Sequence, residues 1–167
     1  LAALSPQTSV ESNTTNALSV WGAWIAAGRP TDPNQIIRIM GENVQGDKGE
    51  DSVLGAWRNN TVNALTSTNP ATITISGPKV NSFMLNLLGF FNEVTNDAWM
   101  ANYAGVAQEL FAKNQAAPGS GKGAGYLALS ARARKAAQVL SKKTGEEWTG
   151  SEIQETVWSW AKALYEK

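Results

Sequence analysis

The stretch Pro78-Lys79-Val80-Asn81-Ser82-Phe83-Met84-Leu85-Asn86-Leu87-Leu88-Gly89-Phe90 decides the fold class. Val80, Phe83, Met84, Leu87 and Leu88 recur at three- and four-residue steps, the rhythm of one buried helix face. Pro78 suits a first helical turn, where its missing N–H leaves nothing unpaired. Gly89 predicts the stop. The segment is a helix, and the same rhythm returns on both sides of it.

Upstream, residues 11–27 place Ala17, Val20, Trp21, Trp24 and Ile25 on one face. Gly28-Arg29-Pro30 and Asp32-Pro33 end that helix. Residues 33–40, with Ile36, Ile37, Ile39 and Met40, predict a short helix. Gly41 to Asp51 carries three Gly and five charges and reads as a mobile loop. Val53 to Leu65 predicts a helix broken at Thr66-Ser67-Thr68-Asn69-Pro70. Thr72-Ile73-Thr74-Ile75 alternates as a strand would, but is too short to force one. The chain opens on Leu1-Ala2-Ala3-Leu4, as though a helix were entered midway, which suggests a trimmed fragment whose first helix lies partly outside it.

Downstream, Asn96 or Asp97 can cap a helix running to about Tyr103. Ala116 to Gly125 holds one Pro and four Gly and reads as a flexible connector. Tyr126 to Lys143 predicts a long amphipathic helix. Ser151 caps the last helix with Gln154 at the third position of a capping box. Ile153, Val157, Trp160 and Leu164 line its inner face. The expected architecture is all-α: a single-domain helical bundle over residues 1–167, with a hairpin-like element at about 73–90.

Composition narrows the chemistry. The chain has 167 residues, with 43% apolar and 17% charged, the make-up of one globular domain. Cys is 0 and His is 0. That excludes disulfides, thiolate catalysis, His-bound metals and any Ser-His-Asp triad. No 18-residue apolar run spans a membrane, and no secretory signal is visible. Asn13-Thr14-Thr15 and Asn59-Asn60-Thr61 match the glycosylation pattern by chance on that view. A cytoplasmic protein is expected.

Lys+Arg is 14 and Asp+Glu is 14, so a globally basic nucleic-acid binder is excluded, though a local patch is not. Between Leu110 and Gly145 stand Lys113, Lys122, Arg132, Arg134, Lys135, Lys142 and Lys143, seven bases and no acid. Such a stretch can follow a phosphate backbone; a solvated helix face beside the acidic final segment, with Glu146, Glu147, Glu152, Glu155 and Glu166, is the plainer alternative. Gly119-Ser120-Gly121-Lys122 is not a phosphate-binding loop. The position five before the Gly-Lys pair is Ala116, Gly123 follows the Lys, and no strand precedes it.

A second constellation is Ile73-Thr74-Ile75-Ser76-Gly77-Pro78-Lys79-Val80, followed by Val94-Thr95-Asn96-Asp97-Ala98-Trp99. Lys79 and Asp97 stand 18 residues apart, a spacing that helix–turn–helix geometry can fold back towards one cleft.

On three segments the sequence resembles the helix-hairpin-helix DNA glycosylases of the endonuclease III superfamily. Leu4-Ser5-Pro6-Gln7-Thr8 is similar to the early segment whose Gln wedges into the DNA stack. Ser76-Gly77-Pro78-Lys79 is similar to the end of the hairpin that carries the nucleophilic lysine of bifunctional members. Val94-Thr95-Asn96-Asp97 is similar to the segment with the essential aspartate. Ile75 stands where the hairpin usually has its first Gly. Ala3 through Thr8, Gly77 through Val80 and Thr95 through Trp99 also resemble uncharacterised phage-encoded proteins and phage polyvalent-protein domains.

The glycosylase resemblance implies a DNA glycosylase, with or without AP-lyase activity, acting on a flipped nucleotide of duplex DNA. Lys79 would attack the sugar C1′, displace the base and leave a Schiff base that can open the strand. Asp97 would deprotonate it or stabilise the cationic sugar. Gln7, Ser5, Thr8, Ser76, Gly77, Lys122, Arg132, Arg134 and Lys135 would hold DNA, with no metal and no organic cofactor. Two alternatives stand beside it: a catalytically inactive nucleic-acid-binding domain, and a helical structural or interaction domain of a phage protein. The last expects an exposed apolar patch where the missing first helix would pack.

Overall fold

The computed structural model describes residues 1–47, 49–69, 73, 75–111 and 122–165. Seven α-helices occur among them: α1 (Val10–Ala26), α2 (Pro33–Asn43), α3 (Gly55–Thr66), α4 (Pro78–Leu87), α5 (Ala98–Ala104), α6 (Ala124–Thr144) and α7 (Gly150–Tyr165). Short 3-10 turns cover Ala2–Leu4, Glu50–Ser52 and Gln108–Phe111. No strand occurs among the described residues, so the fold is all-α. Thr72 and Thr74 of the short alternating segment lie outside the described residues, as does the connector from 116 to 121. The chain divides into two compact units, Leu1–Asn81 and Ser82–Lys167.

In the first unit, Ser9 caps α1 by accepting from Ser12 N at 3.1 Å, which satisfies one orphan donor of the first turn. Val20 of α1 joins Leu4, Ile36, Met40, Val44, Val53 and Trp57 in one core, with Ala17 and Trp24 packed on its edge. The inward row of α1 is Asn13, Asn16 and Val20, not the full apolar row expected, and Trp21 is 54% exposed. Asn16 turns inward because its Oδ1 accepts Gln45 N at 2.8 Å. That bond offsets the cost of burying the Asn16 amide, whereas Asn13 Oδ1 is buried with no hydrogen-bond partner among the described residues.

Asp32 caps α2, accepting from Gln35 N at 3.0 Å, with Pro33 in the first turn. The helix runs three residues beyond the expected Met40, into what the sequence reads as loop. Gly41 explains the path of the following segment. Gly49 N donates to Gly41 O at 3.0 Å, and a Cβ on Gly41 would meet the Gly49 backbone at 2.5 Å. Only glycine permits that approach.

In the second unit, Val94, Ala133, Ala137 and Ile153 form the core, flanked by Ala136, Leu140, Trp148 and Val157. Alanines on α6 allow α7 to approach closely. The cap of α7 lies two residues earlier than expected. Thr149 Oγ1 accepts from Glu152 N at 3.3 Å, and Glu152 Oε2 accepts from Thr149 N at 2.7 Å. That pair is the capping box, not Ser151 and Gln154. The inner face of α7 is also rotated: Gln154 and Ala161 are buried with Ile153, while Trp160 and Leu164 are exposed.

Candidate functional site

The candidate residues of the first unit fall in two places. Gly77 has φ +96, and with Ser76 it forms the exposed turn into α4. Asn60 on α3 shapes that turn. Its Oδ1 accepts Ser76 N at 2.7 Å and its Nδ2 donates to Ser76 O at 3.0 Å. One amide side chain thus pairs both backbone groups of Ser76, as a neighbouring strand would. Lys79 sits half-buried in the first turn of α4.

At the N-terminal segment, Trp57 Nε1 donates to Pro6 O at 3.0 Å, tying this segment to α3. Gln7 is exposed with φ +57, a left-handed turn that glutamine adopts only at some cost. Thr8 is half-buried, and its hydroxyl donates to Ser9 O at 3.3 Å. Ser5, expected to touch DNA, instead turns inward: it is 6% exposed and its Oγ is buried without a partner.

In the second unit Glu93 is a hub. Its Oε1 accepts from Ser82 Oγ at 2.7 Å and from Lys122 Nζ, and its Oε2 lies 3.9 Å from Arg134 Nη2. Burial pushes the Glu93 carboxyl up, but the Lys122 and Ser82 hydrogen bonds and the Lys122 charge outweigh it. The net result is a carboxyl held below its ordinary value. Arg134 Nε also donates to Asn92 O at 2.7 Å. Lys122 and Arg134, two expected DNA contacts, are therefore engaged with the turn before α5.

Beside this hub, Tyr126 OH donates to Val94 O at 2.8 Å and accepts from Asn96 N at 3.1 Å. Burial pushes the phenol up to about 12, so it keeps its proton and serves as a fixed donor. Asn96 Nδ2 donates to Ser130 Oγ at 2.9 Å, which fixes the chain just before Asp97. Asp97 then caps α5. Its Oδ1 accepts from Trp99 N at 3.0 Å and Met100 N at 3.3 Å. Its Oδ2 accepts from Trp158 Nε1 at 2.8 Å.

The remaining cations behave differently. Arg132, Lys135, Lys142 and Lys143 are exposed on α6 and form no ion pair among the described residues. Their spacing puts them within about a third of the helix circumference and along roughly 16 Å of its axis. The 21 residues of α6 contain no acid. Lys142 and Lys143 were not among the expected DNA contacts; the helical period from Arg132 would have included them. Lys113 lies outside the described residues.

Leu87, Leu88, Phe90 and Phe91 are also exposed, in one short run at the end of α4. No group of three or more His, Cys, Asp or Glu side chains that could hold a metal occurs among the described residues. No described helix is long and apolar enough to cross a membrane.

No curated protein and no solved structure matches the chain. A family of unknown function, DUF7178, matches residues 1–163, and the chain belongs to that family.

Proposed function

We propose that this chain is a nucleic-acid-binding helical domain whose contact surface is the cationic row Arg132, Lys135, Lys142 and Lys143 on α6. What supports the reading is the segregation of charge by helix. An ordinary solvated surface intersperses both signs. Here the 21 residues of α6 carry no acid, and Arg132, Lys135, Lys142 and Lys143 form no ion pair among the described residues. A one-sided row of this length matches a phosphate backbone, whose affinity comes from released counterions.

The test is fluorescence anisotropy with a labelled oligonucleotide over a range of salt. Changing all four residues to Gln should remove most of the binding. It should also reduce the slope of log K against log salt by about four at most for a duplex. Unchanged affinity and slope would overturn the reading.

Two further readings attach to specific observations. The exposed run Leu87, Leu88, Phe90 and Phe91 favours an interaction domain. The glycosylase resemblance, which gives Asp97 a catalytic role, meets it as the cap of α5. On that reading Lys79 attacks a sugar C1′ on the helix-hairpin-helix plan, in a host cytoplasm if the chain is phage-encoded. Both Asp97 carboxylate oxygens, however, serve structural bonds to the α5 cap and the Trp158 indole, which is why binding without catalysis is the reading adopted. Borohydride trapping on an abasic-site duplex decides the point: an adduct lost in Lys79→Ala would reinstate the lyase.

A further inference from the structure

We infer that the Tyr103–Trp160 pair is a stacking platform for an unpaired base, so that the nucleic acid this domain takes is single-stranded. The inference rests on the nucleic-acid reading of α6 and adds to it the form of the ligand.

Tyr103 ends α5 and Trp160 lies on α7. Their ring centroids are 5.5 Å apart at an interplanar angle of 80°. Tyr103 is 45% exposed and Trp160 55%. Such an edge-to-face contact holds both rings in place while leaving much of their surface open.

Three of the other six indoles contrast with this. Trp24 donates to Pro30 O, Trp57 to Pro6 O and Trp158 to Asp97. Trp160 makes no hydrogen bond among the described residues. Trp21 is exposed too, but it has no ring partner in its unit. Trp160 therefore combines an open surface with an orientation fixed by its ring partner.

Charge argues for what covers it. α7 packs through Ile153 on the Ala133 and Ala137 side of α6, and the acid-free cationic row occupies the exposed remainder of α6. Single-stranded nucleic acid needs both parts: cations for the backbone and aromatic faces for the bases. A duplex keeps its bases stacked on one another and has no use for the second part. An apolar protein partner would have no use for the first.

The experiment uses the whole chain. Anisotropy is measured at low salt with a labelled oligothymidylate of about 20 nucleotides and with a duplex of equal length. Trp160→Ala and Tyr103→Ala are compared with Trp21→Ala as a control, and circular dichroism checks the fold. The wild type should prefer the single strand. Trp160→Ala and Tyr103→Ala should each weaken it about tenfold and leave the duplex nearly unchanged. Trp160→Phe, which keeps a ring face, should retain most of the affinity and carries the test if an alanine variant does not fold. Binding that persists with the single strand unaffected by these changes overturns the platform but spares the α6 reading. Equal loss on both probes also overturns it. No binding of either probe by the wild type overturns both.

Discussion

Trp158 Nε1 donates to Asp97 Oδ2 at 2.8 Å, joining α7 to the cap of α5 across 61 residues of sequence. The same carboxylate receives Trp99 N and Met100 N on its other oxygen. One side chain therefore starts a helix and anchors it to another.

Both partners should matter to stability. Asp97→Ala removes a cap and strands the indole donor, a loss of about 2–3 kcal/mol. Trp158→Phe removes the donor together with part of the half-buried ring under Lys162 and should cost about 1–3 kcal/mol. Urea unfolding of both single variants and the double variant should show a favourable coupling between them. Additive effects would mean that the two residues act separately, and would return Asp97 to consideration as a free carboxylate.

Glu93 predicts a pH dependence. Its folded carboxyl lies below the ordinary value of 4.5, so folding favours the ionised form. The stability this contributes is whole above about pH 4.5 and is lost as pH falls through the lower folded value. Glu93→Gln should remove that component and flatten the acid limb of a urea-midpoint profile. At neutral pH it should cost about 1–3 kcal/mol, because Lys122 and Ser82 lose a charged acceptor. An acid limb as steep as that of the wild type would show that Glu93 does not couple to folding.

Much of the helical plan was legible because periodicity and punctuation agree. Pro78 starts α4 and Gly145, with φ +77, follows α6. Periodicity identifies an apolar row but not which row finds a partner. Val20 and Trp21 are adjacent on α1, and Val20 wins because Asn13 and Asn16 extend its row inward. On α7 the Ile153–Leu164 row is covered only at its first end, while Trp158 is drawn towards Asp97. The acid-free run of bases was equally legible. Its division was not, because Lys122 and Arg134 are claimed by a Glu93 distant in sequence.

The start of α7 tests how that ambiguity is resolved. Thr149-x-x-Glu152 and Ser151-x-x-Gln154 are both capping boxes by residue type. The surroundings choose the first. Ser151 N donates to Phe91 O at 3.0 Å, and Gly150 is packed so closely that a Cβ on it would meet Val94 Cγ2 at 3.0 Å and Arg134 Cγ at 3.1 Å, so the helix has already begun there. Thr149→Ala should therefore cost about 1 kcal/mol. Ser151→Ala should be close to neutral, since the Ser151 N–H bond to Phe91 survives the change. The Thr149 hydroxyl and N–H also hold the Glu152 carboxyl below its ordinary value, so the penalty of Thr149→Ala should shrink as pH falls below about 4.5 and the carboxyl protonates in both proteins. Thermal or urea midpoints of the two variants at neutral and acid pH decide it. A larger loss from Ser151→Ala than from Thr149→Ala would move the cap back to Ser151.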